Sequence, residues 1–113
     1  MPFPLNWYTL TGQIADIGTA TTVVFVAPEA GYLRKVCCVL NGAITTADDV
    51  ITVSVDGTAL SPTITVTQVS SAAGDYDSAS YLAAVKEGSR ITIANSGAST
   101  GTAIEAYTLV LSG

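Results

Sequence analysis

The chain has 113 residues, of which 49% are hydrophobic and only 12% charged; nine acids, four bases and no histidine give a net charge of −5. That length provides one core and one domain. The only adjacent bases are Arg34 and Lys35, too few to displace the counterions of a phosphate backbone, so no direct nucleic-acid partner is expected. The longest apolar run, Val23 to Pro28, falls far short of the roughly 20 residues of a spanning helix, so no membrane partner is expected.

The segment Met1-Pro2-Phe3-Pro4-Leu5-Asn6-Trp7-Tyr8 has neither the basic start nor the apolar centre of a secretory signal, which predicts a chain made and used in the cytoplasm, or assembled there into something later released. Its prolines hold it extended and outside a central sheet. The sequence therefore divides into an extended arm, residues 1–8, and a single β-sandwich domain, residues 9–113. Trp and Tyr combine an apolar body with a polar tip. The arm residues Pro2, Phe3, Pro4, Leu5, Trp7 and Tyr8 are thus candidates to grip a neighbouring subunit, the alternative being that the arm folds back on its own core.

Beyond the arm, alternation of period two dominates. Ile51-Thr52-Val53-Ser54-Val55, Ile64-Thr65-Val66-Thr67 and Ile91-Thr92-Ile93 each set apolar residues on one face and hydroxyls on the other, as half-buried antiparallel strands do. Turn residues recur between them: Asn41-Gly42, Asp56-Gly57, Pro62, Glu87-Gly88 and Asn95-Ser96-Gly97. Strands are predicted near 7–14, 21–27, 31–40, 49–56, 63–69, 75–83, 89–95 and 102–111. Eight strands of this length suit an all-β antiparallel sandwich of jelly-roll type.

Two stretches read ambiguously. Leu33, Val36, Val39 and Leu40 also match helical spacing, though flanking Gly and β-branched residues favour a strand; Ala79 to Val85 is rich in helix formers and leaves a helical turn open. Val23-Val24-Phe25-Val26 and Val36-Cys37-Cys38-Val39-Leu40 are apolar on both faces. A cover beyond the domain's own core is most simply another copy, which predicts a homodimer or homotrimer.

Catalytic chemistry is sparse. Without histidine there is no Ser-His-Asp or Cys-His arrangement and no imidazole ligand. Cys37 and Cys38 are adjacent, so they point to opposite faces of a strand; they suit neither a mutual disulfide nor zinc and read as reduced small hydrophobes, with cross-linking to a neighbour as the alternative. Asp48-Asp49 and Asp75-x-Asp77 offer too few oxygens for calcium and read as turn residues. No enzyme activity, metal or other cofactor is expected. Tyr76 and Tyr81, beside Asp77, could form a sugar-binding ledge, so the alternative function is a carbohydrate- or receptor-binding module of a virion tail or fibre.

Several phrases fall in a recognisable order. Val26-Ala27-Pro28-Glu29-Ala30-Gly31-Tyr32-Leu33 is followed by Leu40-Asn41-Gly42-Ala43-Ile44-Thr45, Ile51 to Gly57, Ser71-Ala72-Ala73-Gly74-Asp75, Val85-Lys86-Glu87-Gly88-Ser89 and Ser96-Gly97-Ala98-Ser99-Thr100-Gly101. Over about residues 20–111 the chain resembles the small decoration or cement proteins of tailed-bacteriophage heads. The resemblance implies a β-sandwich on the capsid exterior of the virion that clamps neighbouring subunits of the major capsid protein against internal DNA pressure. It carries over no catalytic residue. The arm lies outside the matched region, so its gripping role comes from its own composition.

Overall fold

The computed structural model describes residues 7–45, 47–97 and 103–113. In chain order its strands are β1 (Trp7–Ile14), β2 (Thr22–Val26), β3 (Gly31–Leu40), β4 (Asp49–Val55), β5 (Thr58–Ala59), β6 (Ile64–Val66), β7 (Tyr76–Val85), β8 (Arg90–Asn95) and β9 (Glu105–Ser112). The predicted strands recur with ends shifted by a few residues. The start predicted at residue 102 lies outside the described residues.

The topology follows from one long folded ribbon. β4 and β6 pair at its tip, then β3 with β7, β2 with β8 and β1 with β9, all antiparallel. Rolling the ribbon brings β9 beside β3 and β8 beside β4. The results are a four-stranded sheet, β1-β9-β3-β7, and a second sheet, β2-β8-β4, with β5 and β6 both along the far edge of β4. This is the jelly roll expected of the sequence. At the β4–β5 hairpin, Asp56 and Gly57 both take positive φ, 49° and 89°, as the tight two-residue turn requires.

Between the sheets the apolar phase of each strand meets its opposite number. Ile51, Val53, Ile91 and Ile93 of one sheet and Leu33, Val36, Leu109 and Leu111 of the other are fully buried. Each contributes about 1.5–3 kcal/mol by leaving water. The helix formers of 79–85 obey the same rule: Ala79, Tyr81 and Val85 are buried while Leu82 and Ala84 face out, and pairing with β3 overrides their local preference.

One irregularity shapes the outer surface. In the pairing of β3 with β9, Leu33 faces Leu111 but Lys35 faces Val110, so β3 carries an extra residue there. Leu33 and Val36 are both buried, three positions apart rather than two. Arg34 and Lys35 therefore both leave from the outer side of the sheet, where regular alternation would have sent one inward.

Candidate functional site

The outward phase of the β1-β9-β3-β7 sheet can be read off the register. Trp7, Ser112, Tyr32 and Ala84 form one row across the four strands. Thr9, Val110, Lys35 and Ser80 form the next regular row, then Thr11, Thr108, Cys37 and Ser78, then Gln13, Ala106, Val39 and Tyr76. Large apolar groups on this face are bare: Trp7 is 50% exposed, Tyr32 44%, Tyr76 54% and Leu82 69%. The Arg34 guanidinium lies 5.1 Å from the centroid of the Trp7 ring, within cation–π range. The Tyr76 hydroxyl donates to Cys37 Sγ at 3.2 Å, tying β7 to the middle of β3.

The sequence-predicted residues divide between the two sides of this sheet. Pro2, Phe3, Pro4 and Leu5 lie outside the described residues. Trp7 and Tyr8, read as the end of the arm, open β1 and pair with Ser112 and Leu111. As neighbours on a strand they separate: Trp7 reaches the outer face, while the Tyr8 hydroxyl is buried without a partner, and burial, then Glu29, raises its pKa. Tyr76 and Tyr81 do not form the predicted ledge. Five positions apart, they take opposite faces, and Tyr81 enters the core, its hydroxyl donating to the Pro62 carbonyl at 2.6 Å.

Val24 and Val26, on the outer face of β2, are 55% and 57% exposed. The second apolar face of that strand therefore stays uncovered by the chain's own described loops. Cys37 is half-buried and Cys38 buried, both as free thiols.

The paired carboxylates organise loops. Asp48 Oδ1 accepts from the Gln68 amide at 2.8 Å and Asp75 Oδ2 from the Ala72 amide at 2.9 Å. Asp49 Oδ1, fully buried, accepts from Ser96 Oγ and from the Gly97 amide. Among the described residues no three metal-ligating side chains come together and no pocket opens.

One buried group escaped the sequence reading. Glu105 is 1% exposed, in the inward phase of β9 with Tyr107, Leu109 and Leu111. Neither carboxyl oxygen has a hydrogen-bond partner, and the Tyr107 hydroxyl is equally orphaned. Burial pushes the Glu105 carboxyl up to about 7; the neighbouring Cys38 thiol, whose hydrogen bond goes to the Asp77 carbonyl at 3.4 Å, pulls it back, while Asp77 and Asp49 raise it. The Cys38 thiol is itself raised, by burial first and then by Glu105. Among the described residues no pocket opens beside this group.

No family model and no curated protein matches the chain. Among solved structures, it is similar to the native structure of a family 35 carbohydrate binding module from Clostridium thermocellum, with a TM-score of 0.48 and 15% identity, covering 96% of this chain and 92% of that one. No residue role is carried from that likeness.

Proposed function

We propose that this chain is a non-catalytic binding protein that docks on another protein through the outer face of its β1-β9-β3-β7 sheet, and that the docking surface is the exterior of a phage capsid. There, as a homo-oligomer, it cements neighbouring major capsid subunits. The observation that carries the docking reading is the set of bare apolar side chains on one sheet face, Trp7, Tyr32 and Leu82 toward one end and Tyr76 three rows away toward the other, a set rich in the residue types that anchor interfaces. The capsid as partner rests on the ordered phrases that resemble decoration proteins. A protein that binds only the assembled lattice stabilises that lattice by linkage, and repetition over many sites lets modest affinities accumulate.

Quantitative mass spectrometry of purified particles tests this reading. Copies in a fixed ratio to the major capsid protein support a cement; a handful of copies moves the chain to a tail or fibre, and absence removes the virion role. Leu82→Asp or Tyr76→Asp should abolish occupancy on capsids, whereas Thr52→Asp, on the opposite sheet, should leave it unchanged.

A second reading is favoured by one row of the sheet. Trp7 and Tyr32 stand two strands apart, about 10 Å given ordinary strand spacing, and both are exposed. Two aromatics on a flat sheet make a platform for sugar rings. Glycan-array binding that vanishes in Trp7→Ala would favour a carbohydrate-binding module, now centred on Trp7 and Tyr32 rather than on Tyr76 and Tyr81.

A further inference from the structure

We infer that the partner surface recognised by this sheet is acidic, and that Arg34 and Lys35, brought to the same face by the β3 bulge, recognise it. The inference rests on the docking reading above and names the chemistry of the partner.

The distribution of charge is the first argument. The chain carries nine acids and four bases, yet the outer face of this sheet holds no carboxylate. The strands that form it contain two acids, Asp77 and Glu105. Asp77 stands opposite Cys38 in the inward phase and Glu105 is buried. The other two bases, Lys86 and Arg90, already lie near Asp56 and help hold its carboxyl low, after the Arg90 amide and Ser89 hydroxyl that bond it. Arg34 and Lys35 make no ion pair among the described residues. An acidic protein thus presents a locally positive, apolar patch.

The bulge is the second argument. Adjacent residues on a regular strand cannot both face a partner; here they do, because Leu33 and Val36 are both held in the core. Bulges serve to re-aim side chains. Stacking on Trp7 fixes Arg34, so less of its side-chain freedom is lost on binding, and a guanidinium sheds water more readily than an ammonium. Val110, directly opposite Lys35, and Tyr32, in the preceding row, supply apolar surroundings.

Other occupants fit less well. A second copy presenting this same face would offer Arg34 and Lys35 no carboxylate, since the face holds none. Two cations on a chain of charge −5 are too few to hold a nucleic acid. A complementary acidic protein surface satisfies both the charge and the apolar contact.

The test has two arms. In the first, a short poly-glutamate peptide is titrated into the purified protein. Trp7, the single tryptophan, lies against Arg34 and reports binding by its fluorescence. A salt-sensitive change that Arg34→Glu/Lys35→Glu abolishes is expected. No change, or one that survives this double substitution, overturns the inference and leaves the docking reading standing. In the second arm, capsids stripped of this chain are offered wild-type protein, the charge-reversed protein and Leu82→Ser. Charge reversal should weaken rebinding by at least about 100-fold, since like charges then face each other. The milder Arg34→Gln/Lys35→Gln protein should lose about tenfold, which guards against misfolding of the reversed one. If only Leu82→Ser fails to rebind, the face docks but does not read acid, and the inference falls. If all variants rebind like wild type, the docking reading falls with it.

Discussion

Replacing Glu105 with glutamine should remove most of the pH dependence of stability between weakly acid and neutral solution. The carboxyl titrates near an ordinary 4.5 in the unfolded chain and at about 7 in the folded one, chiefly because it is buried. The folded state therefore holds the proton more tightly than the unfolded state does. This contribution is complete below about pH 4.5 and is lost as the pH rises through about 7. The gap sets a ceiling of about 3 kcal/mol on the loss, a large part of the 5–15 kcal/mol that roughly brackets a domain's total stability. Urea titrations from about pH 4 to about pH 8 should show wild type and Glu105→Gln converging at the acid end, because a protonated acid and an amide are both neutral and nearly isosteric. At the alkaline end Glu105→Gln should be the more stable, with a Tm higher by about 10 °C. Parallel profiles, with a constant offset at every pH, would show that Glu105 does not change its proton affinity on folding.

Other substitutions probe single devices of the fold. Asn95 accepts from the Thr21 amide and donates to the Ile17 and Thr19 carbonyls, so Asn95→Ala should cost about 3 kcal/mol in urea unfolding by orphaning those groups. Gly31→Ala would drive a new Cβ into the Ser112 carbonyl; a loss of at least about 2 kcal/mol is expected. Tyr81→Phe, which removes only the hydroxyl bonded to the Pro62 carbonyl, should cost about 1 kcal/mol and leave β7 in place, as hydrogen exchange of its amides would show.

Much of this architecture could be read in advance because a sandwich writes its two faces into a period of two. Ile51, Val53, Ile91 and Ile93 occupy the buried phase that their alternation announces. The helical spacing of Leu33 and Val36 has a different origin: a three-residue step between two buried positions is also what a bulge leaves in a strand. Only the register of β3 against β9 distinguishes the two, and no local pattern carries that register. Tyr76 and Tyr81 are close in sequence, but their odd separation on a strand sends them to opposite faces. Glu105 carried a legible signal as well, since Glu105, Tyr107, Leu109 and Leu111 share one phase and three of the four are obvious core residues. Its missing partners were not legible, because they depend on what the facing sheet supplies.

The sandwich also explains why the buried acid and the outer cations can be treated as separate systems. Among the described residues no pocket opens into the interior, and the exposed aromatic and basic groups lie on the outer face. Ionisation of Glu105 responds chiefly to burial, then to Cys38, Asp77 and Asp49, whereas Arg34 and Lys35 leave from the other side of the sheet toward water, where high dielectric and salt screen them. Stability against pH and binding against salt should therefore vary independently. Glu105→Gln should leave the poly-glutamate titration of Trp7 fluorescence unchanged at a pH where both proteins are folded. Arg34→Glu/Lys35→Glu should abolish that titration while preserving the shape of the stability profile. If either substitution moved both readouts, the two sides of the sheet would be coupled, and the bulge would be transmitting strain to the core as well as aiming side chains.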